Sequence, residues 1–440
     1  MKNPALLAAL LLGAASFDAF STEAFAQRSL AVEVPTARQL ARFGLERAWA
    51  SQATIEIGRD VVRHVVLDED SLYVQSSGGT VTAFDNETGR KRWALQLGSK
   101  DEPSYAVTSN EEMVLVIAGI HMYAIEKFGG DLLWTLQMNK QPSTSPVMDG
   151  DQVYFGSLDG SVHAYDLKKI HELHDQDRLP QWTNVAYNWR YKSAKEVTSP
   201  PVVGGGLVHF ASRDNSLYAI TAGTRKLQWQ FETHRPISAN LGESNGVLFL
   251  ASEDFNVFCI DKITGSIRWQ FIAVLPLRVQ PRVINEDVYV FPHRGGMHCL
   301  SRVSGRRKYW RPNLVDFVSA TRRLLFASDS VNNLVVMSRL DGATIGALPF
   351  RGFTHRLGNE LTDRMYIATQ SGLVVCIREI GQEFPTYHAY PDRQPILPEF
   401  APEEPEDPAA DPAAADPAAA DPAAADPNAV DPNAPPAATF

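Results

Sequence analysis

The residues best placed to do chemistry lie together in one charged stretch, His171-Glu172-Leu173-His174-Asp175. If this stretch were helical, His171 and His174 would share one face and could bind a metal ion together with Glu172. The order is not the His-Glu-x-x-His of zinc proteases. Charged residues crowd both sides, so the sequence favours a solvated loop without a metal. We expect His171, Glu172 and His174 to contact a partner instead.

A second candidate is a set of basic residues that could bind phosphate or an acidic partner. The set comprises Arg302, Arg306, Arg307, Lys308, Arg311, Arg322 and Arg323. Its first four members lie in and after one turn between strands, so they should be exposed. Ordinary surface charge is the alternative. We single out Arg306 and Arg307 as candidate partner contacts.

Acids and amides recur in the turns and are candidate calcium ligands. They are Asp159, Asp214, Asn215, Glu253, Asp254, Asn256, Asp329, Asn332 and Asn333. Because they recur at the same hairpin of successive units, turn formation explains them without a metal, since Asp and Asn side chains bond their own backbone. No Ser-His-Asp order, phosphate loop or carboxylate pair stands out. We therefore assign no catalytic, cofactor-binding or metal-binding residue.

The elements that position these residues repeat with a period of about forty residues, which is typical of propellers and solenoids. Each unit alternates short apolar strands with Gly, Asp, Asn and Ser turns. A small residue near the end of the third strand marks the units: Ala83, Ala124, Ala164, Ala219, Cys259, Cys299, Val336 and Cys376. The fourth strand usually carries a tryptophan: Trp93, Trp134, Trp189, Trp229, Trp269 and Trp310.

Three units depart from this pattern. Unit three has an insertion, Lys168–Tyr187, and unit seven has Gly346 in the tryptophan position. Unit eight has no tryptophan near Thr386, whereas the strand predicted over Leu45–Ile57 carries a spare one, Trp49. We infer that this strand completes unit eight and closes a ring. The predicted fold is all-β, an eight-bladed propeller of four-stranded blades, or a seven-bladed one if unit two or seven is misparsed.

The three cysteines, Cys259, Cys299 and Cys376, are too few for a disulfide framework. All three occupy the position that other units fill with alanine. Cysteine behaves as a small hydrophobe in such a place. We therefore expect buried thiols, with a metal or redox site as the alternative.

Composition divides the chain into four parts. Residues 1–26 read as a signal peptide, with an uncleaved membrane anchor as the alternative. Residues 27–44 form an N-terminal arm, predicted to be exposed over Pro35–Phe43, and residues 45–390 form the propeller. Residues 391–440 form a tail of Pro, Ala and Asp that is predicted to be disordered. The net charge of −10 comes from acids in this tail, so the rest of the chain is balanced and shows no nucleic-acid signature.

The repeat resembles that of the quinoprotein-type, or PQQ-like, β-propeller family. The resemblance rests on the hairpin Gly156–Asp166 and on the Thr-Gly-x-x-x-Trp segments Thr88–Trp93 and Thr264–Trp269. It implies eight blades with a girdle of indole rings between them. One branch of this family consists of quinone-dependent dehydrogenases, which typically have a vicinal cysteine pair. Another consists of non-catalytic propellers, typified by the scaffold of the outer-membrane β-barrel assembly machine.

The resemblance is closest in layout to the scaffold branch, with an export signal, a short arm, eight repeats and no large insertions. The Cys-Cys pair of the dehydrogenase branch does not occur here. It implies a non-catalytic, exported scaffold for protein interactions in the bacterial cell envelope. We expect a monomer without a cofactor, without an integral membrane segment once the signal is removed, and with envelope or secreted proteins as partners. The alternatives are a dehydrogenase of alcohols or sugars that uses PQQ and calcium, and a propeller that binds a small ligand or carbohydrate.

Overall fold

A computed structural model describes residues 34–179 and 183–389. The predicted signal peptide and the predicted tail over 391–440 lie outside the described residues. Within them the chain forms eight antiparallel sheets of four strands each. The prediction of an all-β propeller with eight blades is thereby confirmed. Three short helices accompany the sheets: α1 (Ala37–Ala41), α2 (Leu167–Asp175) and α3 (Thr183–Ala186).

The blades follow one another along the chain, and each runs from its inner strand to its outer strand. Blade 1 contains β2 (Val62–Leu67), β3 (Ser71–Ser76), β4 (Thr80–Asp85) and β5 (Lys91–Gln96). Blade 2 contains β6 (Thr108–Ser109), β7 (Met113–Ala118), β8 (His121–Glu126) and β9 (Leu132–Gln137). Blade 3 contains β10 (Val147–Asp149), β11 (Gln152–Gly156), β12 (Ser161–Asp166) and β13 (Tyr187–Lys192). Blade 4 contains β14 (Val202–Gly204), β15 (Leu207–Ala211), β16 (Ser216–Thr221) and β17 (Leu227–Glu232).

The second half of the ring repeats this order. Blade 5 contains β18 (Gly242–Ser244), β19 (Val247–Ala251), β20 (Asn256–Asp261) and β21 (Ile267–Ile272). Blade 6 contains β22 (Arg282–Ile284), β23 (Asp287–Val290), β24 (Met297–Ser301) and β25 (Arg307–Arg311). Blade 7 contains β26 (Leu314–Ala320), β27 (Leu324–Asp329), β28 (Asn333–Ser338) and β29 (Thr344–Pro349). Blade 8 contains β30 (His355–Arg356), β31 (Met365–Ala368), β32 (Leu373–Glu379) and β1 (Leu45–Gln52).

Neighbouring blades cover the middle strands on both faces. β3 and β19 are buried at every position, because side chains that alternate between the two faces of a strand meet an adjacent blade on either side. The outer strands instead alternate; in β21 Trp269 is buried between exposed neighbours. The apolar core accordingly lies between blades: one cluster joins Phe249 of blade 5 to Val288 of blade 6.

The ring closes by pairing its first strand with its last. β1 runs antiparallel to β32, with Leu45 opposite Glu379 and Trp49 opposite Cys376. A salt bridge of 2.7 Å between the Glu46 and Arg378 side chains accompanies the pairing. This confirms that the N-terminal strand completes blade 8, although the strand ends at Gln52 rather than Ile57.

The arm before β1 is only partly exposed, contrary to the prediction, because Pro35 and Leu40 are buried. Thr36 caps α1 through a reciprocal capping box with Gln39. Leu40 is fully buried in the cluster between blades 7 and 8. The Phe43 ring lies at Gly346, where an added Cβ would approach Phe43 Cε1 to 2.5 Å. The arm therefore supplies the aromatic ring that blade 7 lacks in its own fourth strand.

Deletion of residues 27–58 should open the ring. The truncated protein would lack several buried apolar side chains, each worth about 2–5 kcal/mol when removed, and would leave β32 as an unpaired edge. We expect a clear fall in the thermal unfolding midpoint, measured by circular dichroism. The matched control is deletion of residues 394–440, which lie outside the main compact unit and should leave the midpoint unchanged. Equal midpoints for the 27–58 deletion and the full chain would contradict closure by β1.

Candidate interaction surface

In most blades the tryptophan of the fourth strand packs against the next blade. Trp49, Trp93, Trp189 and Trp269 lie opposite the small residue of the third strand. Their indole Nε1 groups donate to backbone carbonyls of the following blade, at Asn86 (2.9 Å), Lys127 (2.9 Å), Ala222 (2.6 Å) and Arg302 (2.8 Å). Burial of the ring and a satisfied indole N–H make these residues packing elements rather than binding residues.

In five blades the turn that receives the ring has a glycine. Gly89, for example, has a φ of +69°, and a Cβ there would lie 2.4 Å from the Trp49 ring. The same close approach, 2.5–2.6 Å, joins the following pairs: Gly130 with Trp93, Gly265 with Trp229, Gly305 with Trp269 and Gly342 with Tyr309. Glycine meets two requirements here. It adopts the left-handed backbone without strain, and it has no Cβ that would collide with the aromatic ring.

Trp310 is not the girdle residue of blade 6, contrary to the sequence prediction. Tyr309 lies opposite Cys299, and its hydroxyl donates to the Arg339 carbonyl of blade 7 at 3.1 Å. Trp310 lies one residue further on, is 45% exposed, and donates to the Gly295 carbonyl. Because side chains alternate along a strand, one residue decides which face a side chain occupies.

Two indoles of the girdle have no hydrogen-bond partner for Nε1 among the described residues, those of Trp134 and Trp229. In blade 5 the carbonyl of Lys262, equivalent to the acceptors above, instead meets His209 Nε2 at 2.8 Å. In blade 3 the receiving turn is replaced by α2. The exceptions therefore mark places where the repeat has been altered.

The thiols are buried and belong to three different blades. Cys259, Cys299 and Cys376 lie in blades 5, 6 and 8, and each is paired with the girdle residue of its own blade. Burial raises the pKa of Cys259 to about 11 and that of Cys299 to about 12. A neutral thiol is a poor nucleophile and metal ligand. These residues do not fit the vicinal cysteine pair that the quinone-dependent branch is expected to have.

The insertion in blade 3 forms a helix rather than the solvated loop that the sequence favours. Asp166 caps α2 by accepting from the Lys169 N–H at 3.1 Å. Leu167, Ile170 and Leu173 are buried in the cluster that contains Trp134. The 3.6-residue period places one apolar stripe toward blade 2 and leaves the charged face in solvent. The sequence prediction missed this apolar stripe because charged residues surround it.

His171, Glu172 and His174 lie on the exposed part of α2. Asp175 is close to both histidines, 3.7 Å from His171 and 3.6 Å from His174. Among the described residues, no three His, Cys, Asp or Glu side chains are grouped so that they could hold a metal ion. What this face offers is polar contact with another molecule.

An apolar cleft of about 440 Å³ adjoins this face, between α2 and the outer strand β9 of blade 2. Its lining includes Leu132, Leu133, Trp134, His174 and Leu179. Leu132 is 54% exposed, and β9 is an outer strand that contains no charged residue. Outer strands usually carry charges that discourage pairing with other chains. The combination makes this part of the rim suited to protein contact.

The basic set is only partly available. Arg302 forms a salt bridge of 2.6 Å with Glu286, and Lys308 forms one with Asp287. Arg311 donates to the carbonyls of Asp341 and Gly342. Arg306 and Arg307 are exposed and have no ion pair among the described residues. They lie in blade 6, separated from α2 by two whole blades, so the structure does not join the two candidate surfaces into one.

The aspartates in the hairpin turns stabilise the turns by accepting hydrogen bonds from the backbone. Asp159, Asp214, Asp254 and Asp329 each accept from a backbone N–H two to four residues further on. Asp159 also accepts from Ser157, whose Oγ lies 3.1 Å from His163 Nε2. A serine beside a histidine could be a nucleophile and its base. Ser157 is fully buried, however, so a substrate has no access to it.

The fold and its girdle define a PQQ-like β-propeller. A family model described as "Outer membrane protein assembly factor BamB" matches residues 30–271 and again residues 173–348. The chain belongs to this family. Over 181 residues it is 27% identical to the outer membrane protein assembly factor BamB of Salmonella typhimurium, a match that covers 39% of this chain. The matched part spans 41% of that relative's length.

Solved structures share the fold. The crystal structure of BamB from Moraxella catarrhalis superposes with a TM-score of 0.57 at 14% identity and covers 76% of this chain and 99% of that one. The computationally designed Ika8 protein superposes with a TM-score of 0.56 at 12% identity, covering 72% and 96%. Among the described residues, every helix is too short or too polar to cross a bilayer.

The assignment of the girdle in blade 6 can be tested by substitution. Tyr309→Ala should lower the free energy of unfolding by about 3 kcal/mol or more, because it empties a buried space between two blades. Trp310→Ala should cost about 1 kcal/mol or less, since that ring is close to half exposed. Urea unfolding of both variants decides between them. A larger destabilisation by Trp310→Ala would contradict the register.

Proposed function

We propose that this protein is a non-catalytic scaffold for protein interactions in the bacterial cell envelope, and that it acts in the assembly of outer membrane proteins. The observation that carries the proposal is the family match, which extends from residue 30 to residue 348. The names of the matched family model and of the Salmonella relative suggest the process. On this proposal the protein is exported, acts as a monomer and needs no cofactor.

The geometry supports a binding role for the outer rim of blade 3. The exposed face of α2 and the apolar cleft beside β9 lie next to each other there, and His174 belongs to both. A mixed surface of this kind, with apolar side chains bordered by polar ones, is common in protein interfaces. We propose that His171, Glu172 and His174 contact the partner, with Arg306 and Arg307 as a second contact region.

Photo-crosslinking in the bacterium that makes the protein tests this role. A photoreactive amino acid is placed at His171, at Arg307 and, as the matched control, at Leu340, which is 90% exposed on a turn of blade 7. We expect the His171 position to cross-link to proteins of the outer membrane assembly machinery, identified by mass spectrometry. The Leu340 position should give no such product, because exposure alone does not make an interface.

Two results would contradict the proposal. One is the absence of an assembly protein from the products at both His171 and Arg307. The other is turnover of an alcohol or sugar in a dye-linked assay after the purified protein is mixed with calcium and pyrroloquinoline quinone. A strain that lacks the protein provides a further test. Unchanged levels of outer-membrane β-barrel proteins in that strain would indicate a scaffold that acts outside the assembly of outer membrane proteins.

A further inference from the structure

A second cleft opens on the rim, where the outer strand of blade 3, the segment before that blade, α3 and a turn of blade 4 meet. It has a volume of about 470 Å³. Three cations and three amides contribute to its lining: Lys140, Arg190, Arg225, Asn139, Asn184 and Asn188. All six are exposed. We call this site the rim cleft.

The rim cleft is positively charged throughout. Its lining contains no acid. Lys140, Arg190 and Arg225 form no ion pair with any described residue, whereas Lys127 in blade 2 binds both Asp68 and Asp70. Burial is the main cause of the lowered pKa of His163 at the floor of the cleft; Asp159 raises that pKa, whereas Arg190 and Lys140 lower it. Three unpaired cations around one concave surface attract anions.

Arg225 occupies a position that other blades reserve for glycine. Its φ is +53°, and the equivalent residues are Gly89, Gly130, Gly265, Gly305 and Gly342. A left-handed backbone is unfavourable for a residue that carries a Cβ. In the other blades a Cβ at this place would also press on the girdle ring. The left-handed backbone therefore favours glycine here, and the charge of the arginine is the feature that needs an explanation.

The remaining groups of the rim cleft suit an extended peptide. β13 is the outermost strand of blade 3, and Asn188 and Arg190 lie on it with their side chains exposed. The amide groups of Asn139 and Asn184 bond each other at 2.9 Å, and each keeps further donors and acceptors. Asparagine amides and the edge of a sheet both bind peptide backbone, while the three cations would bind carboxylates.

We infer that the rim cleft binds an acidic, extended segment of a partner protein, with Lys140, Arg190 and Arg225 pairing with its carboxylates. That the segment belongs to a protein rests on the proposed scaffold function. The charge and shape of the rim cleft do not depend on the proposed function.

Fluorescence anisotropy with a labelled oligo-aspartate peptide tests the inference on the full chain. We expect binding that weakens as salt is raised. The double variant Arg190→Gln/Arg225→Gly should bind about tenfold more weakly or worse, because two of the three cations can no longer pair with carboxylates. Arg225→Gly restores the residue that the turn favours, so the variant should fold at least as well as the parent protein.

Arg38→Gln/Arg42→Gln is the matched control, because it removes the same charge from another exposed place, outside both proposed contact regions. It should leave the affinity within about twofold of the parent value, a free-energy change well below 1 kcal/mol. Equal weakening by the two double variants would overturn the inference in favour of nonspecific attraction. So would binding of phosphatidylglycerol vesicles, but not of oligo-aspartate, that depends on Arg190 and Arg225. If oligo-aspartate binds as expected while cross-linking at His171 and Arg307 fails, the result supports the rim cleft as an acidic-peptide site and contradicts the proposed scaffold function.

Discussion

In most blades the aromatic side chain on the fourth strand is held by the backbone of the next blade, and the rest of the propeller depends on this contact. The ring fills the space against a left-handed glycine, and its polar group bonds a carbonyl beside that glycine, as Trp93 does with Lys127. A substitution on either side would disturb two blades at once. Repetition of the same contact around the propeller explains why the core lies between blades rather than within them.

The places where this contact is altered are also the places where the chain has surface features of its own. In blade 7 the ring is missing, and Phe43 of the arm replaces it. In blade 3 the receiving turn is replaced by α2, which leaves the indole N–H of Trp134 without a partner in the described part of the chain. In blade 4 the glycine is replaced by Arg225. The last two alterations flank the outer rim of blade 3, where the apolar cleft and the rim cleft lie.

Much of the fold could be predicted from the sequence because the repeat is local. Each unit carries its own strands, turns and girdle residue, so the number of blades and the pairing of Trp49 with blade 8 follow from counting. In blade 6 two local signals disagree, because the residue type favours Trp310 whereas the spacing favours Tyr309. The spacing from Cys299, which matches that of the other blades, is the signal that identifies Tyr309.

The clefts and the docked arm depend on contacts between distant segments. Phe43 and Gly346 meet only after the ring has closed, and Lys140, Arg190 and Arg225 come from three separate parts of the chain. A local pattern reveals only that Arg225 departs from the glycine of the repeat. Hydrogen–deuterium exchange of the protein with and without the protein that cross-links at His171 is the most direct test of binding at this rim. Binding there predicts slower exchange in α2, β13 and the turn of residues 221–226, with the inner strands unchanged. Protection confined to the inner strands, or no protection on this rim, would contradict it.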